Sequence, residues 1–273
     1  MFGISRQSIY QAENRAIKRN NELRIVRCLV EQVRIEMPRL GTRKLYYLLK
    51  DELINSGVKL GRDGLFSYLR KEQLLIRPRK SYTKTTHSKH WLKKHPNLYN
   101  RSEVKAPEKC FVSDITYVKS LEGTHYLSLV TDAYSRKIMG YHLSKDMSSD
   151  NVVKALQMVK KNRVTTNTAI HHSDRGLQYC SSIYQKELNK QVIIPSMTDG
   201  YDCYQNALAE RINGILKDEF LIYKCNSFKE LNTLIKESIK TYNNKRPHSS
   251  LKYKTPNFVH QKNTEDNLQW SNV

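Results

Sequence analysis

From Lys109 onward the sequence changes period. CFVSDITYVKS, HYLSLVTDAYS and KIMGYHLS are short runs rich in β-branched and aromatic residues, joined by Glu122-Gly123-Thr124 and by Ser135-Arg136. Runs of this kind, so closely spaced, predict a three-strand antiparallel meander. SSDNVVKALQMVKKN then switches to a helical period, with Ser149 or Asp150 as cap and Val152, Val153, Leu156 and Val159 facing inward. Strand AIHHS, helix SSIYQKELNKQ and strand VIIPSM follow, and a long helix closes the series. The order βββαβαβα leaves few architectures open. It is that of an α/β protein, a mixed sheet with helices on both faces.

The chain before Lys109 reads differently. Residues 1–36 have helical character, with Ile17, Leu23, Val26, Leu29, Val30 and Val33 recurring between basic residues. Pro38 breaks the pattern, Gly41-Thr42 caps a helix over Thr42–Leu53 striped by Leu45, Leu48 and Leu49, and Gly57 and Gly61 frame a turn. A further helix over Arg62–Glu72 puts Leu65, Tyr68 and Leu69 on one face, with Arg70 and Lys71 outside it. Two short helices across a glycine-containing turn fit a helix-turn-helix; an ordinary helical bundle fits as well. The opening GISRQSIYQ resembles the tail of such a unit, its beginning lying upstream of this start or in a second reading frame. Between Pro78 and Pro107 the chain is basic and loop-like, carrying Arg79, Lys80, Lys84, Lys89, Lys93 and Lys94.

Charge narrows the partners. With 47 Lys+Arg against 26 Asp+Glu, the formal net charge is +21, spread along the whole chain. A polyanion is the expected partner, and nucleic acid comes before membrane because no apolar anchor accompanies the charge. The apolar runs are too short for a transmembrane helix, and the N-terminus lacks a signal-peptide core. Five widely separated cysteines argue against a disulfide framework and against a zinc knuckle, and read as isolated buried thiols of a cytoplasmic protein. His87, His90 and His95 have no partner ligands at finger spacing.

Three carboxylates stand out. Asp114 interrupts an apolar strand, Asp174 follows AIHHS where a strand gives way to a loop, and Glu210 lies on the helix Asn206–Phe220. On that helix Leu208, Ile212, Ile215 and Leu216 make the apolar stripe, while Glu210, Asn213, Gly214 and Lys217 share another face at i, i+3, i+4 and i+7. Taken singly, each acid also fits a solvated position: an edge strand, a surface loop, a charged helix face. Delivered together by two strands and a helix, they suit phosphoryl transfer with two Mg²⁺ ions, which bind through a few carboxylates, waters and substrate phosphates. Lys217 is then placed for a phosphate.

These residues also carry a resemblance. Asp114 in VSDITYV, Asp174 in HSDRGLQY and Glu210 after NALAER are spaced so that 35 residues (210 − 174 − 1) separate the last two. With Gly200, Lys217 and the tail YNNKRPHSSLKYKTP, they make residues about 104–260 resemble the catalytic core of the retroviral-integrase superfamily. More closely, the chain resembles the second-frame (orfB-type) transposases of bacterial insertion sequences, to whose helix-turn-helix region TRKL and GLFSYLRKEQLL are also similar.

The resemblance implies a ribonuclease-H-like fold and a catalytic and metal-binding triad of Asp114, Asp174 and Glu210. It implies two Mg²⁺, with Mn²⁺ substituting, and the chemistry of nicking the 3′ ends of an element and transferring the strand. It further implies circle formation by copying out, followed by insertion. The expected organisation is a helical DNA-binding region over 1–77, a basic linker over 78–107, a catalytic core over 108–245 and a tail over 246–273. Expected partners are double-stranded DNA (terminal inverted repeats and target), further copies of the chain on that DNA, and an upstream reading-frame product; the expected place is the cytoplasm, at the nucleoid. Lys217, Arg175, Arg43, Lys44, Arg70, Lys71, Arg79 and Lys80 are the expected DNA contacts. Asp132 is a common position of the family but not a metal ligand, and the resemblance and the helix face set aside Asp199, Asp202 and Glu219. Arg246 and His248 are read as structural or DNA-contacting. One departure stands out: the family's Asp-Asn-Ala before the glutamate helix is Gln205-Asn206-Ala207 here. Two rivals remain: a catalytically silent, sequence-specific DNA-binding protein, which would bind ends without nicking them, and a plain nuclease, which would hydrolyse without joining.

Overall fold

A computed structural model describes residues 5–77, 91–99, 103–199 and 203–262. The chain divides into two compact units, Met1–Pro78 and Arg79–Val273. Among the described residues no helix is long and apolar enough to cross a membrane.

The first unit is all helical: α1 (Arg6–Glu36), α2 (Thr42–Asn55) and α3 (Arg62–Lys71). Ser5 caps α1 by accepting the Ser8 N–H at 3.2 Å. Val26, Val30, Leu40, Leu45, Leu49, Leu53, Leu65 and Leu69 form its core. The inward stripe expected along all of α1 is realised only in its C-terminal half, and Ile17 is 58% exposed. At 1.5 Å per residue α1 is about 45 Å long, more than twice the reach of α2, so its first half has nothing to pack on within the unit. Cys28 lies exposed on this helix, which corrects the expectation of buried thiols; Cys110, Cys180 and Cys225 are buried, and all four are free. After α2 the chain turns through Gly57 at φ +69°, a left-handed conformation that a side chain would oppose.

The second unit is built on a five-stranded sheet of β1 (Cys110–Ser120), β2 (Gly123–Asp132), β3 (Ile138–Ser144), β4 (Ala169–Ser173) and β5 (Ile193–Met197), in the order β3-β2-β1-β4-β5. The meander is antiparallel, and β1, β4 and β5 run parallel. The first turn is Leu121-Glu122, one residue earlier than expected, because Gly123 already pairs with Ser120. The helices are α4 (Ser149–Asn162), the short α5 (Leu177–Cys180), α6 (Ser182–Lys190), α7 (Ala207–Ile215) and α8 (Phe228–Asn244). Ser148, rather than Ser149 or Asp150, occupies the N-cap position of α4, without a side-chain capping bond.

Strand alternation sorts the two faces. Phe111, Val130 and Met139 pack with Leu156, Val159, Tyr184 and Leu188 of α4 and α6. Cys110, Val112 and Ala133 pack on the other face with Ala209 of α7. Gly140 lets α4 approach β3 closely: a Cβ there would collide with the Ala155 carbonyl. This is a mixed α/β sheet with flanking helices, as the element order demands.

Candidate active site

β1 is the central strand, not an edge. It pairs in parallel with β4 through Cys110↔Ile170, Phe111↔His171 and Val112↔His172. The constant offset of 60 (170 − 110) carries on to Asp114 and Asp174, beyond the last paired residues. The two acids therefore sit side by side where the strands part, at the crevice in which open α/β sheets bind ligands. Asp174 accepts the Gly176 N–H at 3.0 Å, which turns the chain out of the strand.

Asp114 has the parity of Cys110 and Val112, so it faces α7. Three bonds fasten that helix and the turns at its two ends to β1: Asn206 Nδ2 donates to the Ser113 carbonyl at 3.1 Å, Asn213 Nδ2 to Asp114 Oδ2 at 2.7 Å, and Lys217 Nζ to Thr116 Oγ1 at 3.1 Å. Glu210 occupies the exposed side of α7. The single helix expected over Asn206–Phe220 is instead a 3₁₀ turn (Cys203–Asn206), α7 and a π turn (Leu216–Phe220). Such π turns recur at functional sites. Here the π turn holds both Lys217, against β1, and Glu219, whose carboxylate is engaged elsewhere.

Electrostatics ties the three acids together. Burial first, then the Asp174 charge and more weakly Glu210, push the Asp114 carboxyl up to about 7, against hydrogen bonds from Asn213 and the Ile115 N–H. Glu210 is raised by partial desolvation and by Asp174. Each carboxylate makes the others harder to ionise, which a cation would reverse. Asn213 and Asn206 each keep a buried Oδ1 with no hydrogen-bond partner among the described residues, so further acceptors face this region. The donor set is all hard oxygen, which suits Mg²⁺. Among the described residues no three His, Cys, Asp or Glu side chains form a ready-made cage, but Mg²⁺ usually takes only one or two carboxylates and completes its shell with water and substrate phosphate.

The remaining acids have other partners. Glu219 forms a two-pronged pair with Arg246, Nη2–Oε1 at 2.6 Å and Nε–Oε2 at 2.8 Å. Arg246 is 1% exposed and also donates to His248 Nε2 at 3.0 Å, so both residues serve the structure rather than a DNA surface. Asp132 is fully buried and accepts the Glu108 and Ser135 N–H groups at 2.7 and 2.6 Å. Asp199 is bonded to Asn97 and Gln205. Asp202 lies outside the described residues.

Of the expected DNA contacts described in the second unit, Arg175 is half-buried next to Asp174 and Lys217 is half-buried against β1. Arg43, Arg70 and Lys71 are exposed and Lys44 half-buried in the first unit, where Arg70 and Lys71 also complement the C-terminal dipole of α3. Arg79 and Lys80 lie outside the described residues. The sequence reading left Asn206, Asn213 and Thr116 out of the site. The i, i+3 spacing from Glu210 to Asn213 was the one available signal.

The fold has known counterparts. Two models described as integrase core domain match residues 104–203 and 191–256. A 31 kDa protein of insertion element IS600 from Shigella sonnei is 35% identical over 258 residues, covering 92% of this chain and 93% of that one. The transposase InsF for insertion sequence IS3A of Escherichia coli is 32% identical over 172 residues, 63% of this chain and 60% of that one. A chain of the simian T-cell lymphotropic virus intasome shares the fold with TM-score 0.50 at 16% identity, covering 82% of this chain and 71% of that one. With nearly its whole length matched to an insertion-element protein and residues 104–256 matched by integrase core models, the chain belongs to the insertion-sequence transposases.

Proposed function

We propose that this transposase cuts and joins the ends of its insertion sequence with Asp114, Asp174 and Glu210 as the catalytic carboxylates. What carries the reading is the shared offset of β1 and β4, which sets Asp114 beside Asp174, with α7 fastened against the same strand. Asp114, Asp174 and Glu210 would hold divalent cations, Mg²⁺ or Mn²⁺, which would supply the electrophilic chemistry: activation of the attacking oxygen and stabilisation of the leaving one. Asn213 holds Asp114 in one rotamer. Lys217, seven residues and about two turns along from Glu210, offers its ammonium to a phosphate oxygen of the bound strand.

The reaction has two in-line steps. Water attacks a phosphodiester at the element's end, forming a P–O bond as the bond to the 3′ oxygen breaks and the 3′-OH leaves. That hydroxyl then attacks a second phosphodiester and displaces its 3′ oxygen, joining the strands. No protein–DNA covalent intermediate is required. The first unit would bind the terminal inverted repeats through Arg43, Lys44, Arg70 and Lys71, and the basic linker, Arg79 and Lys80 included, would track phosphates. Synapsis of two ends calls for more than one copy on DNA, and an upstream reading-frame product would be a further partner. The protein would act in the cytoplasm, at the nucleoid.

The test is strand transfer on labelled duplexes carrying candidate ends, with Mg²⁺, for wild type, Asp174→Asn and Glu210→Gln. Joined products lost in both variants support the assignment. Nicking that persists in both places the chemistry elsewhere, and binding without nicking returns the protein to a silent DNA-binding role.

A further inference from the structure

Residues 96–99 precede the sheet in sequence yet are built into its far edge. Met197 N–H, at the end of β5, donates to the Pro96 carbonyl at 3.2 Å. Leu98 N–H donates to Ser196 Oγ at 2.8 Å, and the same oxygen meets His172 Nδ1 at 2.9 Å. The Tyr99 ring lies against the His172 ring, centroids 4.9 Å apart. His172 stands two residues before Asp174.

A second set of bonds reaches the glutamate helix. Asn97 Nδ2 donates to Asp199 Oδ2 and to Gln205 Oε1, both at 3.1 Å. Gln205 Oε1 also accepts the Asp199 N–H at 2.5 Å, and Gln205 Nε2 lies 3.4 Å from Asp199 Oδ2. Gln205 belongs to the 3₁₀ turn Cys203–Asn206, which runs directly into α7. Glu210 follows five residues later.

We propose that residues 96–99 are a brace holding the two elements that carry Asp174 and Glu210 in a fixed relation, with Asn97 and Gln205 as positioning residues. This rests on the triad reading above. The chemistry of position 205 follows from the clasp. A glutamine offers one oxygen that takes two donors and adds no charge beside the Asp199 carboxylate. An aspartate there, as the family resemblance leads one to expect, would be one methylene shorter and would set a second negative charge against Asp199. In this chain the departure is part of the site: it lets the stretch leading out of the first unit set the start of α7. At 1.5 Å per residue Glu210 is only about 4.5 Å along the axis from that start, so slack at Gln205 reaches the carboxylate undamped. Misplacement of a reacting group by about 1 Å is enough to cost a hundredfold in rate.

The experiment is a single-turnover strand-transfer series with Mg²⁺ on full-length wild type, Gln205→Leu, Gln205→Glu and Asn97→Ala, alongside end-DNA Kd and amide exchange of the metal-free proteins. Gln205→Leu and Asn97→Ala are expected to lose about tenfold or more in rate with Kd within about twofold, and their double variant to be no slower than the worse single one, as for members of one network. Gln205→Glu, which keeps an acceptor oxygen but loses the Nε2 donor and sets a second carboxylate against Asp199, is expected to be at least about fivefold slower than wild type. Exchange at the Asp199 amide should quicken in Gln205→Leu and Asn97→Ala. Wild-type joining with variant rates within about twofold overturns the brace, as does a loss explained by Kd alone or a Gln205→Glu as fast as wild type. A wild type that joins nothing overturns the triad reading itself, a different and separable result.

Discussion

Asn213 Nδ2 donates to Asp114 Oδ2 at 2.7 Å across 99 residues of sequence, and this bond joins the strand acid to the helix bearing Glu210. It works against the burial and the Asp174 charge that together push the Asp114 carboxyl up to about 7. Because the folded value lies above the ordinary 3.8, the native state holds more protons than the unfolded chain between these two pH values. The contribution of Asp114 to stability is therefore present in full below pH 3.8 and is lost as pH rises to about 7. In metal-free protein, Asp114→Asn is expected to raise stability at pH 8 by on the order of 2 kcal/mol and to flatten the decline from pH 5 to 8. Mg²⁺ at pH 8 should raise the Tm of wild type and not of the variant. Thermal unfolding with chelator or Mg²⁺ at both pH values measures this; parallel profiles for the two proteins would refute it.

The Glu219–Arg246 pair locks the π turn to the segment after α8. Arg246 is almost wholly buried, so removing its carboxylate leaves a guanidinium charge in a dry site. Glu219→Gln is expected to lower stability by about 3–5 kcal/mol, whereas replacing both partners by apolar residues of similar volume should cost far less. Urea midpoints for the single and double variants check this.

Glu108 is a buried acid remote from the crevice. Burial alone would raise its pKa, but hydrogen bonds from His260, the Thr165 hydroxyl and the Val164 and Thr165 N–H groups outweigh that and hold it at about 2. His260 also meets Ser135 Oγ at 3.0 Å, so the helix over 256–262 is tied to both Glu108 and the β2–β3 loop. A depressed folded value means stability present above the ordinary 4.5 and lost as pH falls towards 2. Glu108→Gln is expected to cost about 2 kcal/mol at pH 7, the deficit against wild type shrinking below pH 4.5. Stability measured across that range decides it.

Lys252 and Tyr253 both have positive φ, +52° and +61°, in the turn that follows Ser249–Leu251. A side chain in this region is strained, and glycine relieves the strain while adding freedom to the unfolded chain. Lys252→Gly is expected to be neutral or stabilising by up to about 1 kcal/mol, and Lys252→Val destabilising by at least as much. Calorimetric Tm values of the two variants provide the comparison.

Much of this protein was legible without coordinates. Alternation in CFVSDITYVKS and HYLSLVTDAYS marked the strands, the period of SSDNVVKALQMVKKN marked α4, and each was found within a few residues of its expected bounds. These are properties of neighbouring residues, and local sterics with one-sided burial suffice to set them. The three acids were singled out in the same way, from apolar context and helix face. What the sequence left open depends on pairs far apart in the chain. The 60-residue offset that sets Asp114 beside Asp174 exists only once β1 pairs with β4 rather than with another strand. That Arg246 meets Glu219, that Asp132 accepts the Glu108 N–H and that Gln205 meets Asn97 were decided by contacts spanning 27, 24 and 108 residues. Local propensity carries no information at those separations. Closing them is decided by which faces can be buried together, and that is a property of the whole fold.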